Sequence, residues 1–314
     1  MTLLRAVPLA SAFCILCASI SPALATVGAP RGIAPASQST TRSTAQAAAQ
    51  STSSLAAPRS FDGTLQFGRD AVQATWYLPA QAPRGFVVLF HGFSRNKGHM
   101  RDLAGRLQDE GLVVLTPTLG FGLINNAAFL SSMEDGLWTL TVIPGTDEPV
   151  PSQVVVAGHS AGGKNAATLA VGLRASLGDR VLGAVLLDPV EREGDLEAAL
   201  KGATDSKLEI LSLLAKAGSC NAQSNATGLL KAYPAPFKGI RITNGTHCDA
   251  EGSTSDFACR LACGSASEKT IETTLAFATN WIAGFFDGQP RPAYFPGGSA
   301  LDAALKASEA SLLE

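Results

Sequence analysis

Val154-Val155-Val156-Ala157-Gly158-His159-Ser160-Ala161-Gly162-Gly163 is an apolar, β-branched run that climbs into G-x-S-x-G, with a small-residue helical pattern after it. In that setting the serine sits on a sharp strand-to-helix turn, its hydroxyl raised above the edge of a sheet. Glycines flank it because side chains there would collide with the neighbouring strand and helix. The motif by itself is weak in a chain with 31 glycines, and Gly297-Gly298-Ser299-Ala300-Leu301 misses it by one residue. The strand before and the helix after separate the two. They select Ser160 as the candidate nucleophile.

Around this run, strand patterns alternate with helical ones. Residues 64–67 and 72–78 read as an opening hairpin, and 86–90 as a short, fully apolar strand. Residues 100–110 read as an amphipathic helix stopped by Gly111, and 112–115 as the next strand. Helical spacing covers 127–141 and 164–177. Further strands are expected at 181–187, 208–214 and 239–243, and a long terminal helix at 270–286. Such alternation predicts an α/β domain: a mostly parallel central sheet with helices on both faces. No insertion large enough for a lid domain separates Asp188 from Leu208.

A serine hydroxyl needs a base to take its proton. On strand–turn–helix nucleophile scaffolds the partners follow in the order serine, acid, histidine. The chain has four histidines, and His247 is the only one after Ser160. It lies in Asn244-Gly245-Thr246-His247-Cys248-Asp249, just past the last strand pattern, and is the candidate base. The acid must orient the imidazole. The strand at 181–187 ends in Asp188-Pro189-Val190, whereas the strand at 208–214 ends in Ala215-Lys216-Ala217-Gly218-Ser219-Cys220, with no carboxylate. Asp188 is therefore the candidate acid, with Glu191 and Glu193 as near alternatives. Asp249 is too close to His247 in sequence to orient its ring and reads as a loop cap.

An oxyanion needs backbone N–H donors. Ala161 supplies one directly after the serine. The turn His91-Gly92-Phe93, after the strand ending Leu89-Phe90, supplies the other through Phe93. His91 and His159 then read as scaffold. Ser94, on the same loop, and Phe121, past a strand end, are the candidates for touching substrate.

Leu89-Phe90-His91-Gly92-Phe93, Gly158-His159-Ser160-Ala161-Gly162-Gly163-Lys164 and Leu187-Asp188-Pro189-Val190 together resemble the corresponding runs of chlorophyllase-type α/β-hydrolases. Dienelactone-hydrolase-like and polyester-hydrolase (cutinase-like) enzymes are similar in outline. The resemblance spans about residues 60–288. It implies an α/β-hydrolase fold and carboxylic ester hydrolysis without a cofactor. It places nucleophile, acid and base on Ser160, Asp188 and His247. Position 161 is Ala where the chlorophyllase type carries Arg, and the base region carries a cysteine cluster that the family usually lacks.

The 314 residues, 46% hydrophobic and 16% charged, suit one large core. A net charge of -2 gives no electrostatic case for nucleic acid. Residues 1–25 read as a signal peptide: Arg5, an apolar stretch, then Ala23-Leu24-Ala25 as a cleavage site. The apolar run is short of a bilayer span, so no stable membrane segment is expected after cleavage. Residues 26–59 read as a disordered Ser/Thr/Ala-rich linker, 60–288 as the hydrolase domain, and 289–314 as a C-terminal tail. Cys14 and Cys17 fall in the signal. Cys220, Cys248, Cys259 and Cys263 remain, an even number that predicts two disulfides in a secreted or periplasmic chain. Three connectivities are open, Cys259 with Cys263 being the least favourable on a helix. A zinc site would need a C-x-x-C knuckle that is missing outside the signal. The expectation is a cofactor-free, metal-free serine esterase acting on a small-molecule or polymeric ester. A lipase or polyester depolymerase of the same fold, or a catalytically silent binding module, are the alternatives.

Overall fold

The computed structural model describes residues 57–314. The signal and almost all of the linker expected above lie outside the described residues. The order of elements is β1 (Arg59–Phe67), β2 (Asp70–Leu78), β3 (Gly85–Phe90), α1 (Arg101–Asp109), β4 (Leu112–Pro117), α2 (Ala127–Trp138), β5 (Val154–His159), α3 (Ala161–Leu177), β6 (Val181–Leu187), α4 (Asp195–Asp205), β7 (Glu209–Leu214), α5 (Thr227–Ala232), β8 (Gly239–Ile242), α6 (Phe257–Cys263), α7 (Glu268–Phe286), α8 (Ser299–Lys306) and β9 (Ala310–Leu312).

The strands form one nine-stranded sheet in the order β1-β2-β4-β3-β5-β6-β7-β8-β9. Its central strands, β4 through β8 in space, run parallel, while β1, β2 and β9 are antiparallel to their neighbours. A parallel strand covered on both faces must be apolar at every position. Strands β3, β4 and β5 are buried throughout.

Alternate residues serve two separate cores. Phe86, Val88, Phe90, Val154 and Val156 face one, with Met133, Leu137, Ala166, Ala170 and Leu200 from α2, α3 and α4. Val87, Leu89, Val155 and Ala157 face the other, with Leu103, Leu107, Phe277, Trp281 and Leu301 from α1, α7 and α8.

Residues 289–314 do not trail from the domain as the tail expected from sequence. They fold back, burying Leu301 and Leu313, and β9 pairs with β8 through Ile240↔Leu312 and Ile242↔Ala310. That pairing covers the edge of β8, which would otherwise be exposed beside the loop carrying His247. Among the described residues no helix is long and apolar enough to cross a membrane.

Candidate active site

The C-terminal ends of β5, β6 and β8 deliver three side chains to one place. β5 runs directly into Ser160, whose backbone is at φ 57° and ψ -123°. A non-glycine residue persists in this region only when its surroundings fix it. Here the Ser160 N–H donates to Leu187 O at 2.9 Å, and the Ser160 carbonyl accepts from Gly163 N at 2.9 Å and Val190 N at 3.3 Å. The turn is thus tied to the end of β6 and to the start of α3. A Cβ on Gly158 would stand 2.2 Å from Gly162 O, so strand and helix approach this closely only across glycine.

His247 Nε2 lies 3.0 Å from Ser160 Oγ, and His247 Nδ1 lies 2.6 Å from Asp188 Oδ2. A carboxylate can only accept, so Nδ1 carries the hydrogen and Nε2 is left to accept from the serine. Asp188 Oδ1 accepts from Ala215 N at 3.0 Å, and Oδ2 also accepts from Asn221 Nδ2 at 2.9 Å. All three side chains are nearly out of solvent. A cavity of about 10 Å³ beside His247, lined by Asp188, Ala215, His247 and Thr274 among others, is the size of one water.

Among the described residues, no hydrogen bond takes the N–H of Phe93 or of Ala161. Both amides are left unpartnered, and Gly92, next to Phe93, packs on the serine: a Cβ there would stand 3.1 Å from Ser160 Cβ. His91 holds the Phe93 turn from beneath: its Nδ1–H donates to Gly92 O at 2.7 Å, and its Nε2 accepts from Leu119 N at 2.8 Å. Burial lowers the His91 pKa to about 4, so it remains a neutral brace. His159 is also buried and held well below the usual histidine range by burial and then by the adjacent His247, whose ring centroid is 4.5 Å away. Neither is brought to the serine as a base.

Phe93 and Phe121 meet edge to face at 5.0 Å and are 46% and 69% exposed. Ser94 is exposed on the same loop at φ 59°. The alternative acids are placed elsewhere. Glu191 accepts from Gly194 N and Glu197 N, and Glu193 pairs with Arg192. Asp249 caps its own loop, accepting from Thr246 N and Thr246 Oγ1, and burial raises its pKa.

The four cysteines pair as Cys220–Cys263 and Cys248–Cys259. Cys248, Cys259 and Cys263 are the only trio with metal-ligand spacing among the described residues, and all three sulfurs are taken up in these bridges. Each bridge adjoins the site: Cys248 follows His247, and Cys220 precedes Asn221.

Three residues around the Ser160–His247–Asp188 cluster carry no signal in the sequence. Asn221 braces Asp188. Arg95, two residues after Phe93, donates from Nε to Glu251 Oε1 at 2.8 Å and from Nη1 to Asp256 Oδ2 at 3.0 Å. Glu251 lies four residues after His247. An adjoining bridge marks Asn221 only in hindsight, and no sequence signal marks the pairing of Arg95 with Glu251.

The family model described as the alpha/beta hydrolase family matches residues 87–299. No curated protein matches the sequence. Solved structures that superpose on the chain include a dienelactone hydrolase from Anabaena variabilis, 17% identical, TM-score 0.54, covering 75% of this chain and 100% of its own. A ferulic acid esterase from Streptomyces cinnamoneus is 16% identical, TM-score 0.54, covering 85% and 98%. A dienelactone hydrolase-like promiscuous phosphotriesterase from metagenomic libraries is 15% identical, TM-score 0.53, covering 74% and 98%. At these identities the likeness is one of fold.

Proposed function

The chain belongs to the alpha/beta hydrolase family, and on that premise we propose that it is a serine hydrolase cleaving carboxylic esters through Ser160, His247 and Asp188. The observation that carries this reading is the continuous relay from Ser160 Oγ to His247 Nε2 at 3.0 Å and from His247 Nδ1 to Asp188 Oδ2 at 2.6 Å. Neighbours whose names include esterase and dienelactone hydrolase support the substrate class.

In the proposed reaction Ser160 Oγ attacks the ester carbonyl while His247 Nε2 takes the hydroxyl proton. Asp188 holds the ring and stabilises the imidazolium. The amides of Phe93 and Ala161 receive the oxyanion of the tetrahedral intermediate. His247 then returns the proton to the departing alcohol, leaving an acyl-serine. Water, deprotonated by His247, attacks the acyl carbon, and a second collapse releases the acid and restores Ser160.

Export belongs to the same proposal. The signal pattern at 1–25 and the two disulfides fit a secreted or periplasmic protein. The exposed Phe93–Phe121 pair beside the oxyanion turn suits a hydrophobic ester, monomeric or polymeric. Turnover of short p-nitrophenyl esters tests the reading. Wild-type protein is expected to hydrolyse them and Ser160→Ala to lose turnover; full activity in Ser160→Ala overturns it.

A further inference from the structure

Arg95 joins two loops that the chemistry needs in register. The first is the oxyanion turn, His91-Gly92-Phe93. The second is the loop after His247, closed on itself by the Cys248–Cys259 bridge. Both carboxylates that Arg95 grips, Glu251 and Asp256, lie inside that closed loop. The grip is bifurcated: Nε reaches Glu251 Oε1 at 2.8 Å and Nη1 reaches Asp256 Oδ2 at 3.0 Å. The Glu251 side chain is wholly buried and that of Arg95 only 14% exposed, so the pair is shielded from the solvent that weakens surface ion pairs.

The loop closed by the Cys248–Cys259 bridge is also tied to the segment that follows the oxyanion turn, at the turn before α1 and at the first residues of α1. Thr254 Oγ1 donates to His99 O at 2.8 Å, and Ser253 N donates to Asp102 Oδ2 at 2.6 Å. Behind the base, side chains stack in a continuous pile. The His159 ring lies against that of His247 at 4.5 Å, and its Nδ1 is 3.9 Å from Glu251 Oε1. A Cβ on Gly92 would stand 3.1 Å from Ser160 Cβ and 3.2 Å from His159 Nδ1, so the oxyanion turn rests on the same pile. Neither His159 nitrogen has a hydrogen-bond partner among the described residues. His159 is packed between His247 and Glu251, and Arg95 and Glu251 close the pile behind it.

We propose that Arg95, through Glu251 and Asp256, is a positioning residue that fixes the Phe93 amide relative to His247, so that proton transfer and oxyanion capture are served by one rigid unit. The proposal rests on the esterase reading above. Arg95 touches no reacting atom. Its effect is on geometry that the transition state samples more stringently than the bound substrate does, so it falls on kcat more than on KM.

Removing the guanidinium alone strands a buried carboxylate and endangers the fold. The test therefore compares Arg95→Lys, Arg95→Met and the charge-balanced Arg95→Met/Glu251→Gln. Each is checked for folding by circular dichroism and thermal melting. Active sites are counted by end-point fluorophosphonate labelling, and kcat and KM are measured per labelled site on p-nitrophenyl butyrate. The expected result for the folded double variant is a kcat lowered by roughly 100-fold, with KM within about 3-fold of wild type. Arg95→Lys, which keeps the charge but lacks the planar fork, should recover part of kcat. A folded double variant with wild-type kcat per site overturns the positioning role. So does a loss confined to KM, or a loss explained wholly by fewer labelled sites. A wild-type protein that neither turns over esters nor labels overturns the esterase reading itself and is distinguishable from either.

Discussion

Asn221 Nδ2 donates to Asp188 Oδ2 at 2.9 Å, the same carboxylate oxygen that holds His247 Nδ1 at 2.6 Å. Asn221 is itself saturated: its other Nδ2 hydrogen goes to Lys216 O, and its Oδ1 accepts from Gly218 N and Ser224 N. The acid's strand end is thus locked to the loop that the Cys220–Cys263 bridge anchors. Asn221→Ala removes a hydrogen bond to a charged group, worth about 1.5–3 kcal/mol. The expected outcome is a fall in kcat of roughly 10- to 100-fold, read on p-nitrophenyl esters with the sites titrated. A wild-type kcat would show that Asp188 needs no such brace.

His91 makes folding stability depend on pH. It stays neutral in the folded protein down to about 4 because it is buried, whereas the unfolded chain takes up the proton near 6.5, the ordinary histidine value. Between those values the unfolded state binds more protons, so this contribution to stability is present above about 6.5 and is lost as pH falls toward about 4. Its full size is about 3 kcal/mol. Tm measured from pH 7 to pH 4 should therefore drop more steeply in wild type than in His91→Gln, which keeps a donor and an acceptor. Parallel curves would contradict the account.

The two disulfides should separate stability from activity. Cys220–Cys263 spans 43 positions and Cys248–Cys259 spans 11, so chain entropy assigns them roughly 4 and 3 kcal/mol. Paired Cys→Ser variants, unfolded in urea, should rank in that order. Loss of the shorter bridge should cost more kcat, because it closes the loop behind His247. Four free thiols in the non-reduced protein would refute both bridges.

A protonated imidazole cannot accept the Ser160 proton, so kcat/KM should fall as the medium is acidified. The profile of the free enzyme on a neutral ester measures this directly. A kcat/KM that does not fall on acidification while the protein stays folded would count against His247 as base.

How far the site could be read from sequence followed from how local its determinants are. Val154–His159 announced a buried strand because every residue faces one core or the other, and Ser160 followed from the glycines after it. The chain order singled out His247 because no other histidine comes later. Asp188 stood out because the next strand end carries no acid. The C-terminal segment was misread because its contribution is three residues of β9 and two buried helix positions, Leu301 and Ala304, too few for a pattern. Arg95 and Glu251 were invisible for a different reason. They are 156 positions apart and meet only because the loops after β3 and β8 leave the same, C-terminal end of the parallel strands.

The proposed reaction stands or falls with Ser160 as an activated nucleophile. The most direct measurement is mass spectrometry of the protein after reaction with a fluorophosphonate, followed by peptide mapping. A single phosphonyl adduct is expected on the peptide containing Ser160, absent in Ser160→Ala and strongly slowed in His247→Ala. An unmodified wild-type protein, or an adduct on another residue that persists in Ser160→Ala, would contradict it.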